Sequence, residues 1–260
     1  MPDANAAANE VETAWEEIPA GDVSIIAFVA TPKAASKRQT LVIIPENVGI
    51  TEWRQQETQR MAAELGWAVI VMSPYSRIGG RPPAGPFETP DDRRRAAFLA
   101  MPDEQVAGDL EATVAWVGEQ DFSNGRRPAV LGFCSGGGQG IYAVATRPKM
   151  AACLVSVYGN IVLRGEFTED RQPLERFKYV PDLECPVQLH VGSLDFEIPG
   201  AHVDRFEAEL DKAGKDFEIY RYEGADHIFA DGSHPNFNPE ATAQMWPRIY
   251  SFLRRCTAEA

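Results

Sequence analysis

The alternation of short apolar runs with segments of helical periodicity constrains this 260-residue chain most strongly. The runs are rich in β-branched residues, and several contain almost no polar residue. Continuous apolar runs of four to six residues are typical of strands that are buried on both faces of a sheet. The strand-like segments are residues 23–29, 40–44, 67–72, 129–131, 153–158, 187–191 and 217–220.

Apolar residues at helical spacing lie between these runs. Thr51 can cap a helix that ends near Gly66, and residues 106–117 and 203–210 each carry an apolar stripe. The regular exchange of strand and helix predicts an α/β fold with a mostly parallel central sheet, right-handed crossovers and helices on both faces. Pro247 predicts a kink or a break in the C-terminal helical segment.

The domain organisation follows from the two atypical stretches of the chain. Residues 1–18 are rich in Ala, Asn and Glu with little periodicity, so we expect a loosely attached tail before one domain over 19–260. Residues 74–90 are rich in Gly and Pro and predict a long loop at a strand end. No segment is large enough to suggest a separate lid domain.

Charge and cysteine content limit the partners and the compartment. The chain has 25 Lys and Arg against 38 Asp and Glu, and a formal net charge of −13 disfavours nucleic acid or an anionic membrane surface as partner. No run approaches a membrane span, and the N-terminus lacks the pattern of a signal peptide. The cysteines are widely spaced, which favours reduced thiols in a cytoplasmic protein over a zinc site or disulfides; they are Cys134, Cys153, Cys185 and Cys256.

The sharpest chemical signal is the segment Gly132-Phe-Cys-Ser-Gly-Gly-Gly138, between a predicted strand and a predicted helix. A nucleophile on a sharp strand-to-helix turn needs small residues two positions before and after it. Gly132 and Gly136 stand at those offsets from Cys134, whereas centring the motif on Ser135 would place Phe133 at the first offset. The sequence therefore predicts Cys134 as the nucleophile and the Ser135 amide as an oxyanion donor.

A cysteine nucleophile requires a base and a group that orients the base. His190 lies within an apolar run and His202 within a helical segment, so neither is a suitable base. His227, in a loop after the last strand, is the candidate base, with His234 close by in the same region. Asp195 follows a strand and completes the order Cys, Asp, His along the chain, with Asp226 as its competitor.

Several segments together resemble the dienelactone hydrolase family of α/β-hydrolases over residues 20–255. They are Ile44-Pro-Glu-Asn-Val-Gly49, Gly108-Asp-Leu-Glu-Ala112, Phe122-Ser-Asn-Gly125, Gly132-Phe-Cys-Ser-Gly-Gly137, Tyr158-Gly159, Asp195-Phe-Glu-Ile-Pro199 and Gly224-Ala-Asp-His227. The resemblance implies a Cys-His-Asp triad of Cys134, His227 and Asp195. It also implies a carboxylate at Glu46, oxyanion donation by the Asn47 and Ser135 amides, and no metal or organic cofactor.

Glu46 ends a buried strand at the same predicted sheet edge as Cys134. Our hypothesis is that the resting Cys134 thiol donates a hydrogen bond to the Glu46 carboxylate, which later takes the proton as a base. The other reading of Glu46 is a solvated residue at a strand end.

The same resemblance implies arginines that hold a substrate carboxylate. Five arginines surround the Gly/Pro-rich loop, and Arg81 and Arg94 are the candidates among Arg77, Arg81, Arg93, Arg94 and Arg95. An arginine expected shortly after the histidine is replaced by Ala230 and Asp231.

The sequence thus predicts a monomeric carboxylic ester hydrolase that opens a lactone or ester of small size, as a carboxymethylenebutenolidase does. Two alternatives are an esterase or thioesterase of different substrate range and a non-catalytic binder of small molecules on the same fold. A glutamine-amidotransferase-like domain is disfavoured because Gly138 occupies the position of the expected glutamine and Asn236 follows His234-Pro235.

Overall fold

A computed structural model describes residues 10–33 and 37–258, and eight of its strands form one sheet. The strands are β1 (Val11–Ala20), β2 (Val23–Pro32), β3 (Thr40–Ile44), β4 (Ala68–Met72), β5 (Ala129–Phe133), β6 (Leu154–Val157), β7 (Val162–Leu163), β8 (Leu174–Glu175), β9 (Val187–Gly192) and β10 (Phe217–Tyr222). The sheet order is β1-β2-β4-β3-β5-β6-β9-β10, and β7 pairs with β8 in a separate ribbon. Each of the seven predicted strand segments corresponds to a strand of the main sheet.

The helices connect and cover these strands. They are α1 (Glu52–Leu65), α2 (Pro90–Leu99), α3 (Asp103–Glu119), α4 (Ser135–Thr146), α5 (Gly200–Lys212) and α6 (Pro239–Ala258). Thr51 caps α1 as predicted, since its side chain accepts a hydrogen bond from the Arg54 amide, and Gly66 ends it in the left-handed region at φ 70°. Every residue of β3, β4 and β5 is buried, so both faces of the sheet are covered.

Residues 11–18 of the predicted tail form a strand instead, because β1 begins at Val11 and pairs with β2 along its whole length. Residues 1–9 of that prediction lie outside the described residues. Only Ile18 of β1 is fully buried, so the strand shows little of the apolar alternation that marks a half-buried strand. The strand is held by backbone hydrogen bonds to β2, which it reaches through the tight turn at Gly21. Because β2 also pairs antiparallel with β4, the sheet is mixed at this edge and parallel from β4 to β10.

The C-terminal helix contains the proline at which the sequence predicted a kink or a break. Helix α6 runs from Pro239 to Ala258 with Pro247 inside it, and no break occurs at that residue. An interior proline costs a helix about 3 kcal/mol. The buried apolar face of α6, which includes Met245, Ile249 and Leu253, offsets this local cost by packing on the core.

The position of the site follows from the direction of the crossovers. Strand β3 lies between β4 and β5 in the sheet. The chain passes from β3 to its neighbour β4, and it then returns to form β5 on the other side of β3. In open α/β sheets ligands bind outside the carboxyl ends of the strands at such a switch point. Glu46 follows β3 and Cys134 follows β5, so both lie at this crevice. Within the described ranges, no helix combines the length and the apolar character required to cross a bilayer.

Candidate active site

Cys134 is the residue on the turn between β5 and α4, with φ 52° and ψ −117°. Positive φ is a strained conformation for a residue with a side chain, and it directs the thiol away from the sheet edge. A Cβ on Gly132 would lie 2.2 Å from the Gly136 carbonyl oxygen, and a Cβ on Gly136 would lie 2.2 Å from that of Ile44. The close backbone approach around the turn therefore excludes any side chain at these two positions.

The thiol faces an imidazole that is in turn held by a carboxylate. His227 Nε2 lies 3.2 Å from Cys134 Sγ, and His227 Nδ1 lies 2.8 Å from Asp195 Oδ2. All three residues are at most 6% exposed. The sequence-predicted residues from β5, the loop after β9 and the loop after β10 thus come together in one hydrogen-bonded chain.

Asp226, the competing acid, accepts a hydrogen bond from the backbone N–H of His227 at 2.7 Å through its Oδ1. It therefore binds the main chain of the neighbouring residue, while Asp195 binds the ring. His190 is enclosed in β9, where its ring nitrogens contact the Tyr222 hydroxyl and the Gln188 side-chain oxygen at 2.8 and 2.9 Å. Burial lowers the pKa of His190 to about 3, so this histidine is a neutral residue of the core.

The electrostatic balance at His227 favours its protonated form. Burial by itself lowers the pKa of the imidazolium, but the facing Cys134 thiolate and the hydrogen-bonded Asp195 carboxylate outweigh it and raise the pKa to about 10. The arrangement can therefore hold a thiolate–imidazolium pair, which is a reactive form of cysteine.

Glu46 does not make the contact that the sequence suggested. Its carboxylate accepts a hydrogen bond from Arg54 Nη2, and both side chains are buried. The thiol of Cys134 instead faces His227, so the hypothesis of a resting thiol bound to Glu46 is wrong for this conformation. The sequence missed Arg54 because it lies on α1 among polar residues that are half-buried or exposed. The packing of α1 on the core buries its guanidinium, which lies 3.7 Å from the centroid of the Phe133 ring.

The two residues expected to supply oxyanion donors flank the thiol. Ser135 is the first residue of α4, where backbone N–H groups are free of intrahelical partners. Asn47 lines the same cavity as Cys134, and its carbonyl oxygen accepts a hydrogen bond of 2.7 Å from the Tyr75 hydroxyl. Tyr75 is fully buried and thereby fixes the peptide between Asn47 and Val48.

Asn160, a residue that sequence reasoning missed, also holds the turn. Its backbone N–H donates to the Cys134 carbonyl oxygen at 3.3 Å, and its side-chain oxygen lies 4.0 Å from the thiol. The fully buried Arg176 donates to the Asn160 carbonyl oxygen at 2.7 Å and binds both carboxylate oxygens of Asp103 at 2.8 and 3.0 Å. Asn160 directly follows Tyr158-Gly159, one of the segments that resemble the family, and this position is the sequence feature that could have indicated its role.

A cavity of about 340 Å³ opens above Cys134 and His227. The residues that line it include Arg93, Arg94 and Ala97 of helix α2 and Phe196 and Glu197 of the loop after β9. Two of the predicted arginines behave differently from expectation. Arg81 is exposed and does not line the cavity, and Arg94 forms an ion pair with Glu197 at 2.6 Å.

Arg93, which the sequence did not single out, carries the unpaired guanidinium of this cavity. Its side chain is exposed at the cavity and has no ion-pair partner in the described part of the chain. Within the same ranges, no three His, Cys, Asp or Glu side chains cluster as a metal site would require.

A family model supplies the decisive comparison for this site. The model of the dienelactone hydrolase family matches residues 25–257, which includes every element that carries a site residue. The chain belongs to the dienelactone hydrolase family. The nucleophile turn, the Asp195 loop (residues 193–199) and the His227 loop of this family member all lie within the matched range.

Curated relatives and solved structures agree with this membership. The chain is 29% identical over 226 residues to a carboxymethylenebutenolidase from Pseudomonas sp. strain P51, covering 85% of this chain and 87% of the relative. A carboxymethylenebutenolidase from Pseudomonas putida is 27% identical over 231 residues, covering 87% and 89%. A crystal structure from Klebsiella pneumoniae shares the fold with a TM-score of 0.85 at 24% identity, covering 95% of this chain and 100% of that one. The dienelactone hydrolase from Anabaena variabilis has a TM-score of 0.67 at 14% identity, covering 94% and 98%.

Proposed function

We propose that this protein hydrolyses a lactone or a related carboxylic ester through a thioester formed on Cys134. The observation that carries the proposal is the chain of contacts from Sγ to His227 Nε2 at 3.2 Å and from Nδ1 to Asp195 Oδ2 at 2.8 Å. A nucleophile, a base and an orienting acid in this order are the arrangement that acyl transfer requires.

In the proposed reaction the Cys134 thiolate attacks the carbonyl carbon of the substrate. The oxyanion that forms accepts hydrogen bonds from the amides of Asn47 and Ser135, and the N-terminus of α4 adds partial positive charge. The His227 imidazolium donates its proton to the leaving oxygen, which in a lactone stays attached as the new hydroxyl group. His227 then takes a proton from water as that water attacks the thioester, and the free carboxylate product leaves with Cys134 restored.

The substrate range follows from the walls of the cavity. The unpaired guanidinium of Arg93 can hold a carboxylate on the substrate, as the carboxymethylenebutenolidase relatives suggest by their name. Phe196 and Val48 are 65% and 48% exposed at the cavity and can contact an apolar part of the same molecule. A volume of about 340 Å³ lies in the range of sites that enclose drug-sized ligands, so we also propose activity on esters larger than a small lactone.

Two neighbouring substitutions test the assignment of the nucleophile. Cys134→Ala is expected to lower ester hydrolysis at least ~1000-fold, because the group that forms the intermediate is lost. Ser135→Ala is the matched control and is expected to keep activity within about threefold, since its Oγ is buried without a hydrogen-bond partner among the described residues. The initial burst of product from an aryl ester should equal the enzyme concentration in the parent and vanish in Cys134→Ala. An active Cys134→Ala variant would refute the proposed function.

A further inference from the structure

The Asp195 carboxylate is oriented by the backbone of its own loop. Its Oδ2 contacts His227, while its Oδ1 accepts hydrogen bonds from the backbone N–H groups of Glu197 at 2.9 Å and Ile198 at 3.1 Å. The direction of the carboxylate therefore depends on where the peptides of residues 197 and 198 lie. Any shift of these peptides would turn Asp195 relative to the His227 ring.

The loop that carries these peptides is exposed in its middle. Leu194 is 62% and Phe196 65% exposed, so neither side chain anchors it to the core. Backbone bonds at its beginning hold the residues up to Asp195, with Leu194 N–H donating to the Ala225 carbonyl at 2.9 Å and Asp195 N–H to the Gly192 carbonyl at 3.3 Å. The anchors on the other side are Ile198, which is 2% exposed, and the side chain of Glu197.

Glu197 is anchored by a residue from a distant part of the chain. Its carboxylate is 4% exposed and accepts a hydrogen bond of 2.6 Å from Arg94 on α2. Arg164 is a second cation, 3.7 Å from the same carboxylate oxygen, and both guanidinium groups lie over the Phe167 ring at 4.8 and 4.7 Å. Nothing else on α2 forms a described ion pair with the Asp195 loop.

Helix α2 is a firm support for this contact. Thr89 and Asp92 form reciprocal capping bonds at its start, and Pro90 occupies the first turn. The backbone of Arg94 is therefore fixed by the helix, and its guanidinium is held by Glu197 and packs on the Phe167 ring.

We infer that Arg94 is a positioning residue for the reaction, which holds Glu197 so that the backbone of residues 197–198 orients the Asp195 carboxylate toward His227. This inference rests on the proposed function, since it assigns Asp195 the orienting role. It also separates Arg94 from Arg93, the neighbour that faces the cavity with a free guanidinium and can bind substrate.

The first test compares kinetic constants for two esters, one with a free carboxylate and one with that group methylated. Arg94→Ala is expected to lower kcat about 10- to 100-fold for both esters with KM changed less than about threefold, because a misplacement of about 1 Å in a reacting constellation has this effect. Asp195→Asn serves as the reference for complete loss of the orienting acid, and its kcat is expected to fall roughly 10⁴-fold. Arg94→Lys should retain more activity than Arg94→Ala.

The controls separate positioning from general loss of structure. Arg221→Ala removes an arginine of similar exposure with two carboxylate partners outside the cavity, Asp204 and Glu207, and should leave kcat unchanged. If Arg94→Ala is poorly folded, Glu197→Gln tests the same contact without truncating a side chain. An increase of KM for the carboxylated ester alone in Arg94→Ala would show that Arg94 binds substrate and would overturn the inference.

Two further readouts distinguish this inference from the proposed function: the pH profile of turnover, and the alkylation of Cys134, which needs no turnover. The Asp195 carboxylate raises the pKa of His227, so weaker orientation of Asp195 in Arg94→Ala should lower that pKa and move the alkaline limb of the kcat/KM profile to lower pH. Alkylation of Cys134 by iodoacetamide, followed by peptide mass spectrometry, should slow near pH 6–7, because the imidazolium that stabilises the thiolate is weakened. Cys134→Ala with full activity refutes the function, whereas unchanged alkylation and pH profiles in Arg94→Ala refute the positioning role alone.

Discussion

The floor of the cavity, formed by the Gly132–Gly138 turn and the end of β3, is buried and held by backbone contacts. The wall formed by α2 and the Asp195 loop is partly exposed and held by an ion pair between residues 103 positions apart. At the floor a Cβ on Gly136 would meet a carbonyl oxygen at 2.2 Å, whereas at the wall the Phe196 ring is 65% exposed.

This difference suggests that the floor holds the reactive geometry and that the wall sets the substrate preference. The floor fixes the strained conformation of Cys134, which no single side-chain contact could hold, so it tolerates almost no substitution. The wall is made of long side chains on a helix and a loop, which can change without unfolding the sheet. We therefore expect substitutions in the floor to act on folding and those in the wall to act on rate and substrate preference.

The largest effect is expected from Gly136→Ala in the floor. The new methyl group would overlap the Ile44 carbonyl, which is main chain and cannot rotate away, so we expect a destabilisation of ~3 kcal/mol or more. Gly118→Ala on α3 is the matched control, because nothing lies within 4 Å of the added Cβ and alanine favours a helix by ~0.5–1 kcal/mol. Thermal and urea unfolding measure the stability of both variants. A Gly136→Ala protein as stable as the parent would show that the turn is not rigid.

The next effect concerns the Glu46–Arg54 pair below the thiol. Glu46→Gln leaves the fully buried Arg54 without its carboxylate and is expected to cost ~3–5 kcal/mol of stability. The double variant Glu46→Gln/Arg54→Met should recover most of this loss, since neither charge remains. Urea unfolding of the four proteins gives the coupling between the two residues. Additive losses would mean that the ion pair contributes nothing specific to the floor.

The folded double variant also shows whether Glu46 has any role in turnover. Its kcat for a lactone separates participation of the Glu46 carboxylate in the reaction from pairing with Arg54 alone. Activity close to that of the parent would assign Glu46 a structural role, and loss of turnover in a stable protein would show that the reaction needs its carboxylate.

The smallest effect is expected at the wall, from Arg93→Ala. Loss of a hydrogen bond to a charged group corresponds to ~1.5 kcal/mol, so KM for a carboxylated ester should rise about tenfold. Arg81→Ala serves as the control, because Arg81 is exposed and does not line the cavity. Steady-state kinetics with the carboxylated ester and its methylated analogue measure the preference. Equal changes in KM for both esters in Arg93→Ala would mean that Arg93 does not bind the carboxylate of the substrate.

The prediction from sequence worked best where local geometry restricts the residue type. The spacing of Gly132, Cys134 and Gly136 identifies the strand-to-helix turn with Cys134 at its tip, because the turn excludes side chains at two fixed positions. The apolar runs identify β3, β4 and β5 because strands covered on both faces leave no place for a polar side chain. Strand β1 escaped prediction because it is held by backbone pairing at the sheet edge, which does not require an apolar pattern.

By itself, the sequence determined the α/β order of strands and helices, the nucleophile turn and the candidates His227 and Asp195, because each depends on residues close in the chain. Only the tertiary structure decided which charged groups meet. Glu46 pairs with Arg54 on α1 instead of with the thiol, and Arg94 lines the cavity while its guanidinium is paired with Glu197. Ion pairs depend on distances of a few ångströms between elements that are packed by other residues, so the positions of their partners along the chain do not specify them.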